Sequence, residues 1–287
     1  MKYAFIRGHR EQYRIARMCE VLSASRSGYY DWLSRQPSRR ERENLKVLQR
    51  IKQIHQHVRE TYGSPRMRVE LVESGLDVSL GRVERLMRRH DIRAKQSKRH
   101  KRTHQHRTSQ MAAGNLLNRE FDAEQPNEKW VSDITFIETR QGWLYLAIIL
   151  DIYSRAIVGW SMSDKIDGEL VHNALNMAIE QRCVKQPVLV HSDQGSQYTA
   201  TTYRDKLNQH GLICSMSRKG ECHDNAVAES FFHTLKNELV FDKLYDTRAE
   251  AKQSIFGYIE MFYNRKRRHS YIGYKAPFEY EKMTAVA

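Results

Sequence analysis

Cysteine is scarce in this chain. Four residues, at positions 19, 183, 214 and 222, are scattered through 287, with no CxxC pair. That excludes a disulfide framework and fits a reducing interior. It also argues against a structural zinc site, because Cys19 has no thiol near it and the adjacent Cys222 and His223 do not make a tetrahedral set. Long apolar runs are missing too. The longest, LYLAIIL at 144–150, is far too short to cross a bilayer. The opening residues MKYAFIRGHREQYRI have no apolar signal core, so a soluble, cytoplasmic protein is expected. Acidic residues are in deficit: 34 Asp and Glu stand against 48 Lys and Arg, a formal net charge of +14. Such an excess favours a polyanionic partner, most often nucleic acid, with a basic ribosomal or membrane-surface protein as the alternative.

Three regions differ in texture. Residues 1–92 read as an all-α region with two helix-turn-helix-like units. In the first, a helix around Ile15–Glu20 turns into SRSGYYDWL, where Ser25 is placed to cap a second helix and Arg26 to lead it. In the second, RMRVELVES stops at Gly75. Ser79 then caps a helix with Val83, Leu86, Met87 and His90 on one face and Arg82, Arg85, Arg88 and Arg89 on the other. Small structural helices with solvated arginine faces would show the same pattern. Residues 93–124 form a linker whose basic stretch, RAKQSKRHKRTHQHR, is too polar for a core and suited to neutralising phosphates.

From residue 125 to 287 the texture is α/β. KWVSDITFIET, WLYLAIILDIYS and RAIVGWSMS read as an antiparallel meander, with a turn at Arg140–Gly142. A helix is predicted over 168–182, then the strand PVLVHSD, a helix near 199–210, the strand LICSMS and a long helix from about 224. This is the order of a ribonuclease-H-like core, a mixed five-stranded sheet with helices on both faces.

Three acidic residues sit where chemistry is expected. Asp133 interrupts an apolar strand, which is costly unless the carboxylate is paired or binds a cation; an edge strand would explain it equally. Asp193 ends a strand, where α/β active sites gather, although DQGS is also a good turn. Glu229 lies in DNAVAESFFHTLKNEL, where Asp224 is a plausible helix cap and Asn225, Glu229, His233 and Lys236 share a face. Each alone has a structural explanation. Together, two strand-borne Asp and one helix-borne Glu can form an oxygen cage for two divalent ions, with Lys236 holding a phosphate beside them. Gln194 and Gly195 form a loop suited to DNA, and His191 would orient neighbouring groups or simply pack. Arg265, Lys266, Arg267, Arg268 and His269 would bind phosphates or sit as a solvated helix end. Trp143, Trp160 and most tyrosines read as core or edge packing rather than base-stacking platforms.

Thirty-five residues lie between Asp193 and Glu229, a spacing that resembles the DD35E signature of retroviral integrases and many bacterial transposases. WxxDIT at 130–135, HSDQGSQYT at 191–199, DNAVAESFFHTLKNE at 224–238 and YNRKRRHSYIGYKAPFEY at 263–280 resemble insertion-sequence transposases of the OrfB kind. MCEVLSASRSGYYDWL and YGSPRMRVEL are similar to that group's helical domain. The resemblance implies Mg²⁺ or Mn²⁺, two ions per active site, held by Asp133, Asp193 and Glu229. It implies double-stranded DNA, both transposon ends and target, as substrate for 3′-hydroxyl release and strand transfer. It further implies an OrfA partner or fusion, homo-oligomers on DNA and a nucleoid association. No heptad zipper is present, and the zinc-binding domain of retroviral integrases is not matched. A nuclease that only hydrolyses, or a catalytically silent DNA-binding repressor, would share much of this sequence.

Overall fold

The computed structural model describes residues 1–95, 112–184 and 186–284. Most of the basic stretch predicted to neutralise phosphates therefore lies outside the described residues. The chain forms two compact units, Met1–Lys52 and Gln53–Ala287. The division falls well before residue 92, where the texture of the sequence changes, so the second helix pair belongs to the same unit as the sheet.

In the smaller unit α1 (Lys2–Gly8), α2 (Ile15–Val21) and α3 (Arg26–Ser34) close on Ile6, Met18, Cys19 and Tyr29. Ser25 caps α3 as expected, its Oγ accepting from Gly28 N at 3.1 Å. The long helix α4 (Arg39–His57) crosses into the larger unit. There α5 (Ser64–Glu73) and α6 (Leu80–Arg89) form the second pair. Val83, Leu86 and Met87 are buried on α6. His90 is not part of that face; it is exposed at the helix end, and Ser79 occupies the cap position without a side-chain bond.

The sheet has five strands: β1 (Lys129–Thr139), β2 (Gly142–Asp151), β3 (Ile157–Ser163), β4 (Leu189–Ser192) and β5 (Ile213–Met216). Their order is β3-β2-β1-β4-β5. The first three pair antiparallel, while β4 runs parallel to β1 and β5 parallel to β4. This is the mixed ribonuclease-H-like arrangement that the element order predicts. Alternation along the strands gives two buried faces. Ala147, Ile149 and Val158 pack against Leu170, Ala174 and Ala178 of α7 (Gly168–Arg182). Leu146, Ile148 and Leu150 point the other way, where α11 (Arg248–Tyr258) meets β2 and α10 (Ala226–Leu235) meets β1. Short α8 (Ser196–Thr199) and α9 (Thr201–Gln209) follow β4, and α12 (Pro277–Thr284) closes the described chain.

The C-terminal segment ties α5 to the core. Tyr62 Oη donates to Lys266 O at 3.1 Å and accepts from Arg268 N at 2.8 Å. Arg268 pairs with Glu70 at 2.5 Å and also with Glu73. Among the described residues no helix is long and apolar enough to cross a membrane.

Gly159 sets how closely α7 approaches β3. A Cβ there would lie 2.2 Å from Ala174 O and 2.8 Å from the Ala178 methyl. Gly159→Ala is expected to destabilise the protein by about 3 kcal/mol, at the upper end of overpacking costs, because backbone rather than a flexible side chain must move. Urea unfolding would measure it, and an unchanged midpoint would contradict this packing.

Candidate active site

Strand register brings the two aspartates together. Val131 of β1 lies beside His191 of β4 in the parallel pair. Two residues further along each chain, Asp133 and Asp193 are therefore level, just where β4 ends. Beyond Val131 that edge of β1 is free of β4, and α10 packs beside it with Glu229 in its first turn. Asn225 fastens the helix start, its Nδ2 donating to Ser132 O at 3.1 Å, one residue before Asp133.

The three acids share one electrostatic environment. Burial, followed by the charges of Asp193 and Glu229, pushes the Asp133 carboxyl well above the usual range, against the pull of the Ile134 N–H and Lys236. Lys236 feels the same site from the other side: burial lowers its ammonium, and Asp133 raises it. Each aspartate also accepts a local bond, Asp133 Oδ1 from Ile134 N at 2.8 Å and Asp193 Oδ1 from Gly195 N at 3.0 Å. Among the described residues no three His, Cys, Asp or Glu side chains lie close enough together to hold a metal ion.

A second layer of bonds fixes the loops. His191 is fully buried, with Nδ1 2.8 Å from Ser215 Oγ and Nε2 3.1 Å from Ser217 Oγ. Gln194 Nε2 donates to Ser217 O at 2.9 Å. Gly195 has an ordinary φ of −59°; its value is space, since a Cβ would crowd Asp193 Oδ1 at 3.0 Å. Asp224 is not the helix cap that its position suggests. It is buried in a short 3-10 turn and accepts from Arg218 N at 2.9 Å, Asn115 Nδ2 at 2.8 Å and Arg119 Nε at 2.6 Å. Burial works against its ionisation, but Arg218 and Arg119 override it and hold the carboxyl well below the usual range. Arg119 also binds Glu221, at 2.5 Å. No sequence signal marked these partners, because Arg119 and Asp224 are far apart in the chain.

The predicted basic contacts divide. Arg26 is exposed at the start of α3, and Arg85 is exposed and Arg82 half-buried on α6. Arg265 is exposed, with Nε donating to Glu260 O. Arg267 and Arg268 are not surface phosphate ligands. Both are buried: Arg267 binds Glu238 through Nε and Nη2 at 2.7–3.0 Å, and Arg268 is committed to Glu70 and Glu73. Asn225 faces inward, with Oδ1 lacking a protein partner. Trp160 packs as expected and donates to Glu260 at 2.8 Å, but Trp143 is half exposed.

Integrase core domain models match residues 123–222 and 229–284, and an HTH-like domain model matches 41–100. The transposase InsF of insertion sequence IS3A from Escherichia coli K12 is 39% identical over 98% of both chains. The chain belongs to the IS3-type insertion-sequence transposases. An uncharacterised 31 kDa protein of insertion element IS600 from Shigella sonnei is 44% identical over 91% of this transposase and 96% of that protein. The solved HTLV-2 integrase catalytic core domain in complex with magnesium overlaps 55% of this chain and 98% of its own, with a TM-score of 0.41 at 15% identity. The transposase is thus an enzyme acting on DNA, built on an integrase core with an HTH-like region before it.

Two stability measurements check this architecture. Glu238→Ala leaves the Arg267 guanidinium buried and uncompensated and is expected to cost about 3–5 kcal/mol in urea unfolding. A loss below 1 kcal/mol would show that the pair is solvated. Burial also lowers the His191 imidazole to about 4, with Asp224 opposing weakly. The unfolded chain then takes up the proton first, so His191 contributes stability above about pH 6.5 that is lost as pH falls toward 4. Stability should drop by about 3 kcal/mol across that window relative to His191→Gln, for which this component of the slope vanishes.

Proposed function

We propose that Asp133, Asp193 and Glu229 hold the divalent ions, Mg²⁺ or Mn²⁺ and two per site, with which this transposase cuts transposon-end DNA and joins the freed 3′-hydroxyl to a new phosphodiester. The observation that carries this reading is the parallel register that levels Asp133 with Asp193, together with the packing of α10 on β1, which puts Glu229 within electrostatic reach of Asp133. The donor set suits the ions. It is all oxygen, as hard cations prefer, and its mutual repulsion is relieved when positive charge enters. When bound, the ions supply Lewis acidity to the attacking and leaving oxygens.

The chain's own groups do the rest. The three carboxylates fix the site on the middle of β1, the end of β4 and α10. Lys236 binds a phosphate oxygen beside Asp133 as a point charge. Water attacks phosphorus at the element end and the 3′-oxygen leaves. That 3′-hydroxyl then attacks a second phosphodiester, displacing its 3′-oxygen, and no protein–DNA bond forms. Gln194, Gly195 and Asn225 line the approach. Arg26, Arg82, Arg85 and Arg265 contact phosphates of double-stranded DNA at ends and target. In this reading the enzyme works in the cytoplasm on nucleoid DNA, as a homo-oligomer and with an OrfA protein or fusion.

Asp133→Asn, Asp193→Asn and Glu229→Gln should each lower Mg²⁺-dependent joining roughly a thousandfold or more, since several kcal/mol of charge stabilisation is removed. DNA retention in a mobility-shift assay should persist. Full strand transfer by Glu229→Gln would sink the assignment. A pre-nicked 3′-hydroxyl end incubated with a target plasmid should give joined product, which a purely hydrolytic nuclease cannot form.

A further inference from the structure

The sheet face that α7 covers is left open at one end, and the opening is aromatic. On β1 the residues Ile134, Phe136 and Glu138 share that face; across on β2 they pair with Ala147, Tyr145 and Trp143. Ile134, Ala147 and Tyr145 belong to the core that includes α7. Phe136 and Trp143 project beyond it, 45% and 49% exposed. Phe136 meets Trp143 edge-on at 6.0 Å and Tyr145 edge-on at 6.4 Å, so the three rings form one shelf.

The shelf begins at the active site. Lys236 Nζ lies 5.5 Å from the Phe136 ring centre, and the same ammonium is felt by Asp133. At the far side Arg248 Nε donates to Trp143 O at 3.0 Å. Half-exposed rings flanked by cations suit nucleic acid, where a base stacks and the backbone meets the charge. Paired bases already stack on their neighbours and present only edges to the grooves. Half-exposed rings next to the reacting phosphate therefore fit a base that has left the duplex. Glu138, exposed on the same face, disfavours a second phosphate there but can accept from a base amino group.

We propose that Phe136, Trp143 and Tyr145 form a stacking platform for an unpaired nucleobase next to the scissile phosphate, so that the transposase acts on a locally opened DNA end. Trp143 is then a binding residue rather than the edge packing its sequence context suggests. The placement of the base rests on the triad being the site of cutting.

Binding without chemistry tests it. In EDTA, the full chain is titrated with a blunt duplex and with a forked duplex of the same sequence carrying 2-aminopurine at its first unpaired position. The wild type should bind the fork about tenfold more tightly, a preference of the size one stacked base provides, and should quench the probe. Trp143→Leu and Phe136→Leu should abolish both preference and quenching while blunt-duplex affinity is unchanged. Trp143→Tyr should retain them. Equal binding of fork and blunt duplex by the wild type, or a preference that survives both leucine variants, overturns the platform. Failure of the triad assignment would show in joining by Glu229→Gln and leave these metal-free readings unaltered.

Discussion

Asp133 is the constraint around which the catalytic unit is arranged. A carboxylate in the middle of a strand, partly withdrawn from water, is disfavoured in its ionised form. Here two more carboxylates stand beside it, and each raises its proton affinity further. A loosely held loop would relax by swinging the acids apart. This fold denies that motion at three points. Asp133 is fixed by β2 along the length of its strand. Asp193 is fixed by β4 and by His191, which two serine hydroxyls clamp from β5 and the residue just past it. Glu229 is fixed by Asn225 and by Asp224, whose buried carboxylate gathers two arginines and an asparagine. Exposed ion pairs contribute only about 0–1 kcal/mol and would not hold such a cluster. Buried, fully bonded groups can, because any displacement leaves a partner unsatisfied.

The helix that carries Glu229 is clamped on both faces. Lys236 lies seven positions after Glu229, which returns it to the same face; Glu238 lies nine positions after, which turns it to the opposite one. Lys236 thus looks toward Asp133 while Glu238 binds Arg267 and accepts from Tyr258 Oη at 2.7 Å. The turn they share is a π-type widening, Lys236–Val240. The C-terminal segment that supplies Arg267 also supplies Arg268, which holds Glu70 and Glu73 of α5. The placing of Glu229 and the anchoring of the second helix pair therefore both rest on ion pairs of adjacent arginines, Arg267 and Arg268.

Much of this was legible in the sequence, for definite reasons. Alternation marked the three meander strands, and helical spacing placed α7 at residues 168–182, the same bounds the structure shows. The acidic trio stood out by order and spacing, although only the parallel β1–β4 register explains why Asp133 and Asp193 meet. What stayed hidden depends on partners distant in the chain. RKRRH reads as a basic patch until Glu238, Glu70 and Glu73 are found against it. Asp224 reads as a cap because caps are local, whereas Arg119, far upstream, is what it binds. The second helix pair reads as part of a separate domain because texture changes after it, yet the residues that dock it lie near the other end.

The positive charge must be apportioned with these pairs in mind. Arg182, Arg267 and Arg268 are largely buried against internal carboxylates, whereas Arg119 and Arg218 pair with Asp224 while staying partly exposed. Among the described residues of the larger unit, α6 presents three exposed arginines on one short helix, Arg85, Arg88 and Arg89. Because Arg268 ties α5 to the C-terminal segment and α5 packs on α6, a duplex bound at α6 would be held by the same compact unit as the three carboxylates. Phosphate contacts of that kind set register without reading sequence. In the proposed reading the reacting phosphate enters between β1 and α10, with the half-exposed rings of Phe136 and Trp143 at its margin. A fixed grip on the duplex and an apolar margin at the cut together favour strain at the DNA end, and fraying of terminal base pairs is the cheapest way for DNA to relieve it.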